Sequence, residues 1–151
     1  MTYQVVKSYG HNEGCSCTYR QHRTDSHCRY IHGYALGVEI TFECETLDAR
    51  NWCFDFGAMK PVKEWLKDTF DHKTLVATDD PEFDYLIEMH HRGLQDVVQV
   101  PATGCEKFAY MIFAYVDAFL MGTSAWPRVQ LISVKVAEHV GNSALVIRRS
   151  P

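Results

Sequence analysis

From Tyr34 to Phe42, apolar side chains fall at every second position: Tyr34, Leu36, Val38, Ile40 and Phe42. Ala35, Gly37, Glu39, Thr41 and Glu43 take the other parity. A period of two places one set on each face of an extended chain, so this stretch demands a sheet with one buried face. The strand is expected over 31–45. Its entrance is chemically unusual: Ser26, His27, Cys28 and His32 precede the apolar run. His32 shares the parity of Tyr34, so an imidazole stands at the mouth of the apolar face.

The rest of the chain supplies partners for that strand. Residues 3–9 read as a first strand. Residues 10–25 are polar and without a period. They form a loop long enough to expect function from it, and carry His11, Cys15, Cys17, Arg20, His22 and Arg23. A turn at 47–51 leads to a short strand end at 52–54. A helix is expected over 55–70, with Asp55 as cap, Pro61 near its first turn and an apolar stripe of Met59, Val62, Leu66 and Phe70. Asp80-Pro81 opens a short helix through about His91, and residues 96–100 form a short strand. A second long helix is expected over 103–120, with Thr103 and Glu106 in capping-box spacing and Phe108, Ile112, Tyr115 and Phe119 along one side. Residues 129–138 form a strand whose even face reads Ile132, Val134, Val136 and Glu138. Gly141-Asn142 turns it back into a hairpin strand at 143–148. Paired strands around helices give an α+β class: a four-stranded antiparallel sheet with two helices packed on one face, in a single domain over 1–151.

Composition narrows the function classes. The chain of 151 residues is 46% hydrophobic with a net charge of −4, a globular composition with no electrostatic appeal to nucleic acid or an anionic membrane. No apolar run approaches the ~20 residues of a membrane span. No basic segment followed by an apolar one opens the chain, so a cytoplasmic location is expected, where six cysteines are thiols rather than a disulfide framework.

The residues that can carry chemistry gather early in the chain. His11, Cys15, Cys17, His22, His27, Cys28 and His32 are imidazoles and thiols, the ligands zinc prefers. The alternatives are a purely structural zinc site and scattered surface histidines. Cys28 serves as a nucleophile or base if a cation lowers its pKa, and otherwise as a small core residue. Asp71-His72 sets a carboxylate beside an imidazole, the pairing that orients proton-transfer histidines. Glu138 ends a strand on its apolar face, where a carboxylate needs a partner. It can grip a guanidine-like edge through two hydrogen bonds, or simply pair with an arginine.

Five stretches in order resemble the 6-pyruvoyl-tetrahydropterin synthase family, and within it the 6-carboxy-tetrahydropterin synthases of queuosine biosynthesis. In that family a Cys stands four residues before a His-Gly-His. Here Cys28-Arg29-Tyr30-Ile31-His32-Gly33-Tyr34 is similar except at its last member. Asp55-Phe56-Gly57-Ala58-Met59-Lys60 resembles the opening of the family's first helix, and Phe70-Asp71-His72 the Leu-Asp-His after it. Thr103–Glu106 is similar to the turn that opens its second helix. Lys135-Val136-Ala137-Glu138 resembles its strand-ending Lys-x-x-Glu.

The resemblance implies the tunnelling fold (T-fold) and a homo-oligomeric ring, a hexamer of two trimers with sites between subunits. It implies a zinc-dependent lyase acting on 7,8-dihydroneopterin triphosphate, giving 6-carboxy-5,6,7,8-tetrahydropterin, acetaldehyde and triphosphate. Cys28 would be the base, Asp71 and His72 the proton relay, and Glu138 the anchor for the pterin's amino-pyrimidine edge. Thr103, Glu106 and Tyr34 would lie along the substrate. Tyr34 replaces a family zinc ligand, and a phenol is a poor one near neutral pH. His11, His27 and His32 are therefore expected to hold the metal, with Cys17 and His22 in reserve. A pyruvoyl-forming or related pterin lyase is one alternative. A pterin- or purine-binding protein without metal or chemistry is another.

Overall fold

A computed structural model describes residues 1–149. The elements run β1 (Tyr3–Tyr9), β2 (Ser16–Tyr19), β3 (His32–Ala35), β4 (Gly37–Cys44), α1 (Lys60–Phe70), β5 (Lys73–Ala77), α2 (Phe83–His91), β6 (Val97–Val100), α3 (Cys105–Met121), β7 (Val129–His139) and β8 (Asn142–Ile147). One sheet has the order β1-β4-β7-β8 and is antiparallel throughout. This is the four-stranded sheet expected from the sequence, and α1 and α3 supply the buried helical face beside it.

The alternation that opened the argument holds, and its burial is near complete. Val38, Ile40 and Phe42 are at most 1% exposed, while Glu39 faces solvent. The α1 stripe is as expected: Met59, Val62, Leu66 and Phe70 are all buried. Phe54 lies on Phe42 with ring centroids 4.5 Å apart. Each such side chain contributes about 1.5–3 kcal/mol on leaving water.

Several local expectations give way. The long strand over 31–45 is two strands, broken at Leu36, with β3 in one sheet and β4 in the other. Leu36 is itself buried, which preserves the alternation through the break. The polar loop over 10–25 contains β2, and β5 follows directly after α1. With β3 and β6 they form a second, mixed sheet of order β3-β2-β5-β6, in which β2 and β3 are antiparallel and β2-β5 and β5-β6 are parallel. Residues 52–54 form no strand.

On β7 the even face does not run straight through. Thr41 pairs with Ser133 but Phe42 with Leu131, leaving Ile132 as the extra residue of a bulge. A bulge reverses parity, so Val129 and Leu131 join Val134 and Val136 in the core. On α3 the buried stripe is Phe108, Ala109, Ile112, Val116 and Leu120, with Tyr115 and Phe119 at its margin. A turn of 3₁₀ helix, Phe56–Met59, precedes α1, and Asp55 caps it by accepting from the Gly57 N–H at 2.8 Å.

The capping box at α3 is not formed. Gly104 holds the cap position with φ of 112°, and no side chain caps the helix. The Thr103 hydroxyl instead donates to the Arg20 carbonyl at 2.7 Å, which ties the segment after β2 to the start of α3. A Cβ on Gly104 would collide with the Gln21 amide. No helix among the described residues is long and apolar enough to cross a membrane.

Candidate active site

The β2–β3 pairing sets four side chains on one face. Cys17 lies opposite Tyr34 and Tyr19 opposite His32, and directly opposed residues point the same way. Ring centroids of Tyr19 and His32 are 5.2 Å apart, and those of His32 and Tyr34 are 5.5 Å apart in an edge-on arrangement. Tyr19 is buried under them and packs edge-on against Phe108 of α3 at 5.0 Å. Gly33 is required between the two site residues: a Cβ there would come within 2.8 Å of the Cys17 carbonyl.

Glu138 enters this patch from the end of β7. The Tyr19 hydroxyl donates to its Oε1 at 2.5 Å. Burial raises the Tyr19 pKa, and the bond to Glu138 raises it further, so the phenol stays a donor. The Tyr34 pKa is raised by burial first and then by the charges of Glu138, Cys28 and Cys105. Cys105, at the first turn of α3, has its thiol pushed up to about 12 by burial and by the charges of Glu138 and Glu106. A carboxylate has about four lone-pair directions. Tyr19 occupies one and orients the rest.

Cys28 sits in a short 3₁₀ turn, His27–Arg29, capped by Ser26. It is half-buried, whereas the other five cysteines are buried. His32 Nδ1 lies 2.7 Å from the Tyr30 carbonyl. A carbonyl only accepts, so Nδ1 carries the proton and the neutral ring presents Nε2 as an acceptor.

Asp71 and His72 keep the relay geometry. Asp71 Oδ1 accepts from His72 Nδ1 at 2.9 Å, and the His72 ring is largely in solvent. His72 adopts a left-handed φ of 59° while its N–H donates to the Ser16 carbonyl at 2.6 Å. Of the pair, His72 borders a hollow over β2 and the start of β5 that also holds Lys73 and Asp96, while Asp71 lies by Gly14. Among the described residues no hydrogen bond or ion pair joins the pair to Cys28, Tyr34 or Glu138. Thr103 is committed to Arg20, and Glu106 is exposed in the first turn of α3.

The expected metal set is not brought together. Among the described residues no three His, Cys, Asp or Glu side chains could hold one ion. His11 Nδ1 is bonded to the Ala35 carbonyl, and its ring lies over Gly37, where a Cβ would be 3.2 Å away. The His11 ring is thus placed by Ala35 and Gly37, and among the described residues no hydrogen bond or ring contact joins it to His32. His27 is exposed on its turn, and His22 lies near Asp79 and Asp80 instead. Cys17 is on the correct face but 3% exposed, with its thiol pushed up to about 12 by burial and by Cys15 and Cys105. The residues of one chain therefore do not fit a zinc ion.

Tyr19 and Cys105 were not expected in the site. Tyr19 had a signal: Cys15, Cys17 and Tyr19 alternate inside an otherwise polar loop. Three apolar residues at period two make a short buried strand.

A family model described as 6-pyruvoyl tetrahydropterin synthase matches residues 11–149. The 6-carboxy-5,6,7,8-tetrahydropterin synthase of Rickettsia felis is 34% identical over 71 residues, which are 44% of this chain and 51% of that protein. The protein of that name from Rickettsia conorii is 32% identical over the same shares. The match thus spans about half the length of these curated relatives. Among solved structures, an uncharacterized protein from Wolinella succinogenes superposes with a TM-score of 0.85 at 18% identity, over 99% of both chains. A catalytic-residue mutant of Plasmodium vivax 6-pyruvoyltetrahydropterin synthase superposes at 0.71 with 13% identity, again over 99% of both chains. These two likenesses establish the fold.

Proposed function

This chain belongs to the 6-pyruvoyl tetrahydropterin synthase family, and on that premise we propose that it is a pterin lyase. Its substrate is 7,8-dihydroneopterin triphosphate and its product 6-carboxy-5,6,7,8-tetrahydropterin, with acetaldehyde and triphosphate released. The names of the Rickettsia relatives support the carboxy product over the pyruvoyl one.

One observation carries the reading. Glu138 is a carboxylate aimed by the Tyr19 hydroxyl into a half-buried patch that also holds His32 and Tyr34. A pterin presents a ring N–H and an amino group side by side, and a fixed carboxylate accepts both. Such charge-assisted bonds are about twice as strong as neutral ones. Cys28, the one half-buried thiol, lies on the turn that leads into β3 and serves as the base. Asp71 and His72 complete the relay from a neighbouring subunit, since within one chain His72 borders a different hollow. Thr103 and Glu106 hold the start of α3 along the substrate.

The sheet β1-β4-β7-β8 has two unpaired edges, and pairing them between copies supports a ring, a hexamer of two trimers. Six free cysteines support a cytoplasmic setting.

The test is product analysis. Protein incubated with 7,8-dihydroneopterin triphosphate should release acetaldehyde in step with 6-carboxy-tetrahydropterin, and Cys28→Ala should abolish both while folding normally. A pyruvoyl product without acetaldehyde would overturn the carboxy assignment. A second reading, a pterin-binding protein without chemistry, is supported by the scattered metal donors. It predicts pterin binding with no turnover.

A further inference from the structure

Zinc binds through neutral imidazole, thiolate or carboxylate, and a catalytic site needs three protein ligands. The only surface from which β2 and β3 could direct three side chains at one point is the four-residue patch of Cys17, Tyr19, His32 and Tyr34. It holds one imidazole. Tyr19 is committed to Glu138. Cys17 is sealed beneath the patch and would have to ionise there. Tyr34 offers a hydroxyl where the pairing puts the side chain across from that thiol. Of the other imidazoles nearby, His11 is bonded to the Ala35 carbonyl with its ring against Gly37, His27 is exposed on its turn, and His139, with its ring centroid 6.2 Å from that of Tyr34, accepts from the Gly141 N–H, so no three donors meet among the described residues.

The same patch is well made for an uncharged polar ligand. His32 has Nδ1 fixed as a donor to Tyr30, so Nε2 can only accept. The Tyr34 hydroxyl, half-buried on the same face, can donate and accept. Glu138 lies within the same cluster. An acceptor, a donor and a carboxylate on one face match a pterin with vicinal hydroxyls on its side chain. The carboxylate takes the ring edge, and the imidazole and phenol take the hydroxyls.

We propose that this pocket binds a 6-(polyhydroxyalkyl)pterin without a transition metal, His32 Nε2 and the Tyr34 hydroxyl meeting the side-chain hydroxyls directly. The pterin part of this rests on the function proposed above; the metal part does not. Position 34 is where a donor is missing: an imidazole there would stand beside His32 and across from Cys17, and an ion held by the two rings would itself lower the pKa of that thiol and complete a three-donor set.

The test uses the full chain purified without chelator. Metal analysis should find less than about a tenth of a zinc per chain, both as purified and after incubation with excess zinc and desalting. Neopterin affinity by calorimetry should change less than twofold on adding EDTA. Tyr34→Phe should weaken neopterin by about 3- to 10-fold, the size of one hydrogen bond, and leave pterin lacking the side chain unaffected. Tyr34→His should gain about one zinc per chain, and lose it again when combined with His32→Ala.

Near-stoichiometric zinc in the wild-type protein would overturn the proposal, even if Tyr34→His failed to fold. A folded Tyr34→His that gains no metal would overturn the assignment of position 34. Equal weakening of neopterin and bare pterin by Tyr34→Phe would overturn the side-chain contact. If neither ligand binds under any condition, the pterin reading falls, and the metal analysis still decides the metal statement.

Discussion

In the sheet β1-β4-β7-β8 the strands run for six to eleven residues, and the inner positions of β4 and β7 are Val38, Ile40, Phe42, Leu131, Val134 and Val136. In the sheet β3-β2-β5-β6 they run for four or five, and the face that matters holds Cys17, Tyr19, His32 and Tyr34. The first sheet is stabilised by apolar burial along whole strands. The second is held by its neighbours: α3 through Tyr19 and Phe108, and the Thr103 hydroxyl on the Arg20 carbonyl. The chain passes from one to the other at Leu36. The difference teaches where chemistry can reside. Polar side chains are tolerated where strands are short and anchored from outside, and the long sheet supplies the rigidity they lean on.

The largest expected effect tests the scaffold side of this comparison. Phe42 is fully buried and packs against the tilted ring of Phe54. Phe42→Ala should cost about 3–5 kcal/mol of stability in denaturant unfolding. The fraction that stays folded should bind neopterin as the wild type does. A cost below about 1 kcal/mol would mean the long sheet is not the stabilising half.

Glu138→Gln tests the other side. It keeps the shape and still accepts from Tyr19, but removes the charge. Pterin affinity should fall about 10- to 100-fold, as expected for charge-assisted bonds, with stability changed by no more than about 1 kcal/mol. The reverse pattern, intact binding and lost stability, would make Glu138 a structural partner of Tyr19 and nothing more.

The two regions also differed in how far they could be read in advance. Val38, Ile40 and Phe42 announce themselves because burial of one face imposes period two over many residues. The second sheet did not, because strands of four residues carry two inner positions each, too few for a period to stand out. Its inner residues, Cys17 and Tyr19, also sat among Arg20, His22 and Arg23, which read as loop. Cys28, His32 and Glu138 were legible from residue type and position; the burial of Tyr19 had a faint signal in the alternation of Cys15, Cys17 and Tyr19, but its role, like that of Cys105, depends on contacts 119 residues away or across a helix start. The metal set failed for a simpler reason. Closeness in sequence says nothing about where a ring is held: His11 is tied to Ala35 and Gly37, His32 to Tyr30 and Tyr34, and His27 is exposed on its turn.

Alkaline pH should act on the thiols around the second sheet. Burial pushes the Cys15 thiol to about 11, with Asp71 adding to it, and Cys17 and Cys105 to about 12, from an ordinary value of 9. These groups hold their protons in the folded state where the unfolded chain would release them. Their contribution is therefore complete below about pH 9 and is lost as pH rises from there to about 11–12. Thermal unfolding in reducing buffer should give a midpoint that is lower at pH 10 than at pH 8. Cys17→Ala should flatten that dependence. An unchanged slope in the variant would show that Cys17 is not among the groups responsible.

The smallest effects separate a buried polar tie from a surface one, both on the segment joining β2 to α3. Thr103 is nearly buried, and its hydroxyl satisfies the Arg20 carbonyl. Thr103→Ala leaves that carbonyl unpartnered and should cost about 1 kcal/mol. Arg23 pairs with Asp79 close by, but its side chain is 78% exposed. The guanidinium holds the Asp79 pKa below its ordinary value, yet water and salt screen such a pair. Arg23→Ala should therefore cost clearly less than Thr103→Ala, and its effect should shrink further at high salt. If Arg23→Ala proved the more costly of the two, the second sheet would owe its position to surface charge, and the view that it leans on buried contacts with α3 would have to be abandoned.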